Sequence, residues 1–188
     1  MNMKIAKLRL FSLGVAALAL SMLGSSPALA LPAEGDAAPN ARLEDADGRA
    51  LELRAFKGKP ILIVYEDKDS ATQNQPLKDA LSKLAKGDRY KNAVALAAVA
   101  DVSSYDYWPV KGFVKDSIRE ESRKQQTTIY CDWNGAFRGA YRLRRGVSSI
   151  VLVGRDGHVL FAAEGVVSVA QRQRLIELLR AQVEPATP

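Results

Sequence analysis

Two segments beyond residue 30 are apolar without alternation: Ile61 to Tyr65 (ILIVY) and Ala93 to Ala100 (AVALAAVA), the second closed by Asp101. Short runs of this kind predict strands covered on both faces. Between them Leu77, Leu81 and Leu84 recur at helical spacing behind Pro76, whose missing amide hydrogen costs least near a helix start. A helix is therefore predicted there, capped by Ser70 or Thr72 and ended at Gly87-Asp88. The polar loop from Glu66 to Thr72 (EDKDSAT) then joins strand to helix. In an open α/β sheet such a turn lies at the carboxyl edge, where ligands and catalytic groups collect.

Shorter patterns fill in the rest. Ala41 to Glu44 and Ala50 to Leu53 alternate around Asp45-Ala46-Asp47-Gly48, and Ser149 to Val153 and His158 to Ala163 alternate around Gly154-Arg155-Asp156-Gly157. Asp-Gly between β-like runs predicts a hairpin, because glycine accepts the positive φ of the turn. After the aromatic loop Ser103 to Pro109, a helix is expected with Val110, Phe113, Val114 and Ile118 on its apolar side and a solvated charged face from Arg119 to Lys124. Thr127 to Cys131 reads as a strand and Ala136 to Leu143 as a short helix. A last helix starts near Ser168, carries Leu175, Ile176, Leu178 and Leu179 inward, and frays at Pro185. A β-α-β half, an inserted helix and strand, and a ββα half predict an α/β fold, a mixed central sheet flanked by helices with an N-terminal β-hairpin.

Residues 1–30 stand apart from this pattern. Lys4, Lys7 and Arg9 precede an apolar run of 14 residues, Leu10 to Leu23, and Ala28-Leu29-Ala30 has the small-x-small form of a cleavage site. The run is shorter than the roughly 20 residues of a spanning helix. A secretory leader over 1–30, cleaved after Ala30, is expected, with one domain over 31–188, a periplasmic location and no stable membrane anchor. The leader holds three of the 27 basic residues and no acids, which leaves 24 basic against 21 acidic side chains. A balance of +3 is too mild to point to nucleic acid or an anionic membrane. Cys131 is the single cysteine, so an internal disulfide is excluded and the core must hold the domain.

Gly35-Asp36-Ala37-Ala38-Pro39, the hairpin around Asp47-Gly48, and Phe56-Lys57-Gly58-Lys59 resemble the entry to peroxiredoxin-like and TlpA-like thioredoxin-fold domains. Gly146 to Gly157 is similar to their second half. Asp69-Ser70-Ala71 with Asn74 and Pro76-Leu77, Gly112-Phe113-Val114-Lys115, and Ser148-Ser149 resemble the YtfJ-type family, periplasmic proteins of Gram-negative bacteria. The resemblance covers nearly all of Gly35 to Leu179 and implies a thioredoxin-like fold. It also places the loop Asp69 to Thr72 where relatives carry C-x-x-C, and Ser148 where they carry a cis-proline. A non-proline cis bond costs about 2.5–4 kcal/mol, so Ser148 is expected to be trans. The dithiol chemistry is not carried over.

Candidate chemistry is correspondingly thin. Cys131 is the only possible sulfur nucleophile, but it ends a strand beside Asp132, whose charge disfavours a thiolate, and a packing role is expected. His158 flanks a turn without partners at metal-ligand spacing, so neither metal nor cofactor is expected. Arg138, Arg142, Arg144 and Arg145 read either as a solvated helix face or as part of a site. If Ser149 to Val153 pairs antiparallel with Ile61 to Tyr65, Arg144 and Arg145 approach Glu66, Asp67 and Asp69. A charge-paired rim, or an anion site shared with the helix N-terminus, is then expected over Asp69, Ser70, Thr72, Arg144, Arg145 and Ser148. Tyr105, Tyr107, Trp108, Trp133 and Tyr141 either form a binding surface or seal the core. The expected function is a redox-inactive module binding a periplasmic protein, a peptide or a small anionic ligand. The alternative is a single-thiol oxidoreductase or peroxidase using Cys131.

Overall fold

The computed structural model describes residues 30–86 and 88–184; the leader expected over 1–30 falls, but for Ala30, outside them, as do Gly87 and Pro185. Strands β1 (Arg42–Asp45), β2 (Ala50–Glu52), β3 (Ile61–Glu66), β4 (Ala95–Asp101), β5 (Ile129–Asp132), β6 (Ser149–Val153) and β7 (Val159–Glu164) form one sheet in the order β2-β1-β5-β4-β3-β6-β7. The three central strands β5, β4 and β3 are parallel, and β1, β2, β6 and β7 pair antiparallel outward from them. Helices α1 (Gln75–Leu84) and α2 (Asp88–Ala93) cross from β3 to β4, and α3 (Val110–Gln125) crosses from β4 to β5. Helix α4 (Ala136–Tyr141) precedes β6, and α5 (Val169–Val183) closes the chain.

The unbroken run of β3 has the cause expected of it, cover on both faces; β4 has full cover on one face only, and Leu96 on the other is 44% exposed. Ile61, Ile63 and Tyr65 of β3 face a core shared with Val99, Val151, Leu53 and, from α4, Phe137 and Tyr141. Leu62 of the same strand faces Ile150, Leu152 and Phe161 under Leu77 of α1 and Leu175 and Leu179 of α5. Each such side chain removed from water contributes about 1.5–3 kcal/mol. A smaller cluster of Val102, Cys131 and Trp133 lies under Val114 and Ile118 of α3.

Both turns close as expected, with Gly48 N–H donating to Asp45 O at 3.0 Å and Gly157 N–H to Gly154 O at 3.0 Å, each glycine at positive φ. The last helix starts after Ser168 as expected and carries a cap there: Ser168 accepts from Gln171 N–H while the Gln171 side chain accepts from Ser168 N–H. Three further expectations fail in detail. Asp88, expected to end a helix, opens α2, which takes Ala93 from the expected strand, so β4 starts at Ala95. Phe113 points outward, 69% exposed, because α3 rests on the sheet through only Val114 and Ile118. Neither Ser70 nor Thr72 caps α1, which begins at Gln75 after a series of turns. No helix among the described residues is long and apolar enough to cross a membrane.

Candidate functional site

Three loops meet at the carboxyl end of β3: residues 66–74, 144–148 and 165–167. The first is wound on Asp67. Its carboxylate accepts from Asp69 N–H (3.1 Å), Ser70 N–H (2.9 Å) and the Ser70 hydroxyl (2.7 Å), and Ser70 in turn accepts from Asp67 N–H. The second carboxylate oxygen of Asp67 accepts from Gly146 N–H at 2.8 Å, which ties the first loop to the second. Gln73 adds a second tie, accepting from Ser148 N–H at 3.1 Å.

Ser148 and Asn74 form the centre of the cluster, both buried. The Asn74 amide donates to Ser148 Oγ and to Gly165 O, each at 2.9 Å, and accepts from Val167 N–H at 2.8 Å. The Ser148 hydroxyl donates to Glu66 Oε1 at 2.9 Å, and Lys78 from α1 pairs with the other Glu66 oxygen. Lys78 also donates to Ala71 O. The bond preceding Ser148 is trans. No buried side-chain oxygen or nitrogen among the described residues lacks a partner. A hydroxyl beside a carboxylate and a lysine is a nucleophile's company, but Ser148 is wholly enclosed, so no substrate atom reaches it.

The geometry brings some of the expected site residues together and sends others elsewhere. Ser70 and Ser148 sit inside the cluster, while Asp69 and Thr72 lie exposed on its rim. The antiparallel pairing of β6 with β3 is present, but Arg144 and Arg145 do not turn toward the acidic loop. The chain before β6 runs beside the end of β7, where Ser149 is paired with Glu164, so Arg144 meets Glu164 first and bonds it through both backbone and guanidinium. Arg145 reaches the other way to the Ser103 hydroxyl at 2.7 Å. The charge on Glu66 is met by Lys78 and that on Asp67 by backbone N–H groups. Lys78 was the missed residue; its place on the first turn of α1, one turn after Asn74, was the available signal.

A second polar cluster at the same edge also escaped the sequence reading. Asp101 and Asp132 end the parallel strands β4 and β5 as register partners, and both are buried. Asp132 accepts from the Tyr65 hydroxyl (3.1 Å), Phe137 N–H (3.3 Å) and Arg138 N–H (2.9 Å), holding the start of α4. Asp101 accepts from the Ser103 hydroxyl and from Arg138, each at 2.6 Å. Burial alone would raise the Asp101 carboxyl, but the hydrogen bonds from the Ser103 hydroxyl and N–H and from Arg138 outweigh it and hold it below the usual carboxylate range. Burial, with Asp132 and Asp101 alongside, pushes the Tyr65 hydroxyl far upward. Arg138 is thus half of a part-buried ion pair rather than part of a solvated face.

Cys131 precedes Asp132 on β5, between β4 and β1, and packs with Val102 and Trp133, 3% exposed. Burial pushes its thiol up to about 11, with Asp45 and Glu44 of β1 adding to the shift against Lys115 and Lys111. The disfavouring charges therefore come across the sheet from β1, not from Asp132. The aromatic residues divide. Tyr141 is in the core, stacked on Phe137 at 4.6 Å, and Trp133 is buried beneath the Lys111 ammonium. Tyr107 and Trp108 are exposed, Trp108 at 91%. His158 is exposed and faces Asp156. Among the described residues no three His, Cys, Asp or Glu side chains gather to hold a metal ion.

The sheet order, the helix placement and the strand-to-loop edge define a thioredoxin-fold protein. Solved structures with this arrangement include a candidate protein disulfide isomerase from Bacteroides thetaiotaomicron (14% identity, 82% of this chain and 92% of that one, TM-score 0.63). A thiol:disulfide interchange protein from Bacteroides sp. matches at 18% identity over 83% and 93%, TM-score 0.56. A thiol peroxidase from Chromobacterium violaceum matches at 15% identity over 80% and 88%, TM-score 0.55. At these identities the likeness shows the fold alone. No curated protein matches the sequence. Residues 54–182 match the model of a family described as bacterial protein of unknown function (YtfJ_HI0045), and the chain belongs to that family.

Proposed function

We propose that this chain is an exported thioredoxin-fold protein that acts by binding, without thiol–disulfide turnover. The observation that carries the reading is the state of the strand-to-helix turn. Where the redox cysteines of thioredoxin-like proteins sit, this chain places Asp69 to Thr72, and the groups behind them are bonded to one another across three loops. The helix N-terminus that would lower a thiol pKa is also displaced, since α1 starts only at Gln75. The one cysteine is buried, remote and protonated at neutral pH.

The binding surface on this reading is the rim of the sealed edge. Asp69, Thr72, Arg144 and Arg145 are exposed there, and Val166 between them is 73% exposed. A rim with both charge signs around an apolar side chain fits a protein or peptide partner in the periplasm. Export is supported by the leader pattern of residues 1–30. The test is turnover. Disulfide-reductase and peroxide-consumption assays should be negative for the wild type and for Cys131→Ser alike. Activity that disappears in Cys131→Ser refutes the reading in favour of a single-thiol enzyme.

A further inference from the structure

At the opposite edge of the sheet, below the start of β3 and the end of β6, lies an open cleft of about 180 Å³. Its floor is apolar: Leu53, Ile61, Tyr141 and Val153 are buried there, and Phe56 and Ala38 stand at its sides. The wall formed by Ala38 to Asn40 is fixed in place. Ala38 N–H donates to Gly157 O at 2.9 Å, Tyr141 donates to Pro39 O at 2.9 Å, and Asn40 accepts from Arg54 N–H at 3.2 Å. A concave apolar surface with one wall held by three hydrogen bonds is a preformed pocket.

The mouth carries four cations, Arg54, Lys57, Lys59 and Arg155, and one carboxylate, Asp156. Arg54 is paired with Glu52, the Lys59 ammonium donates to Asn92 O, and Asp156 is held by His158. Lys57 and Arg155 have no carboxylate within 4 Å among the described residues. An apolar hole beneath two uncommitted cations matches a ligand that is apolar at one end and negative at the other. The volume equals roughly six liquid-water volumes, enough for one ring or a short chain and too small for a drug-sized molecule.

We propose that this cleft binds a small organic carboxylate, with its ring or short acyl chain on Leu53, Ile61 and Val153 and its charge between Lys57 and Arg155. The site is separate from the sealed edge and stands on its own observations, whether or not that edge binds a partner.

The test is an amide NMR titration of the purified protein with benzoate and with hexanoate. Benzyl alcohol supplies the apolar body without charge, and sulfate the charge without the body. Expected are saturable shifts at Leu53 to Lys57 and Gly154 to Gly157, with binding at least tenfold weaker for each control. The exposed double variant Lys57→Glu, Arg155→Glu should keep a dispersed spectrum and lose carboxylate binding at least tenfold. Ala38→Leu, which narrows the cleft, should weaken hexanoate and benzoate while leaving sulfate unchanged. The proposal is overturned if neither carboxylate gives saturable shifts at these amides, or if charge reversal leaves binding unchanged. It is also overturned if sulfate binds as well as benzoate, or if the shifts fall on the loops 66–74 and 144–148 instead.

Discussion

Replacing Asn74 by alanine should be among the most damaging single changes outside the apolar core, because one amide holds three loops. Three bonds are lost: two donated, to Ser148 Oγ and Gly165 O, and one accepted from Val167 N–H. Ser148 keeps Glu66 as a partner, and Gly165 is half-buried, so each of these losses costs only about 0.5–1.5 kcal/mol. The buried Val167 N–H is left without an acceptor, which costs about 1–3 kcal/mol. The sum is about 2–6 kcal/mol, a large share of the roughly 5–15 kcal/mol expected of a domain. Urea unfolding measures it. With a slope near 2 kcal/mol/M, the midpoint should fall by about 1–3 M at unchanged slope. In native-state hydrogen exchange the Val167 amide should lose protection more than amides in β3. The exposed Thr72→Ala variant, expected to stay within about 0.5 kcal/mol, is the control. A midpoint for Asn74→Ala indistinguishable from that control would refute the view that this amide ties the loops together.

The Cys131 thiol, pushed up to about 11 by burial, should resist a thiol reagent at pH 8 in the native state and react rapidly in denaturant; comparable native and denatured rates would contradict its burial. Because the Asp101 carboxyl is depressed in the folded state, it contributes stability above its unfolded value of about 3.9, and loses that contribution as pH falls through the lower folded value. Asp101→Asn should therefore destabilise at neutral pH and flatten the loss of stability below about pH 4, read from urea midpoints against pH. Arg144→Ala should change stability by only about 0–1 kcal/mol, since that guanidinium is mostly exposed, whereas Arg138→Ala, which strands the buried Asp101 carboxylate, should cost about 3 kcal/mol, both by urea unfolding.

What was legible in the sequence was whatever a local period encodes. The unbroken run at Ile61 requires cover on both faces and finds it in β3, whereas β4 alternates buried and more open positions, with Leu96 44% exposed. The two Asp-Gly turns depend only on residues four or fewer apart and close as read, and the last helix starts at Ser168 as read. Asn74 stands out in the sequence only as a mark of the family resemblance, because its partners, Ser148, Gly165 and Val167, are more than 70 positions away. Asp101 and Asp132 each looked like a strand terminator. Only the parallel register of β4 and β5 places them side by side, and no local pattern carries that register. Arg144 and Arg145 were misplaced for a related reason. The strand pairing that brings their loop to the right edge was inferred correctly, but Glu164 and Ser103 intercept both side chains before the acidic turn.

The fold's edge and its chemistry are separable here, and the late start of α1 is the reason. In a strand-to-helix turn where the helix begins at once, backbone N–H groups point outward and favour an anion or a thiolate. In this chain the turn after β3 runs on to Asn74, and its N–H groups at Asp69 and Ser70 are spent on the Asp67 carboxylate of the same loop. Asp67 therefore takes the place of an external anion, and its second oxygen fastens Gly146. Ser148 completes the substitution from the facing loop, since its hydroxyl bonds Glu66 and Asn74 where a proline could donate nothing. A cysteine placed at Asp69 would meet neither free amide groups nor a helix terminus, so restoring sulfur alone would not restore a reactive thiol. The local sequence fastens this edge from within, and that fastening is what supports the proposal that the protein acts by binding at its outer surface.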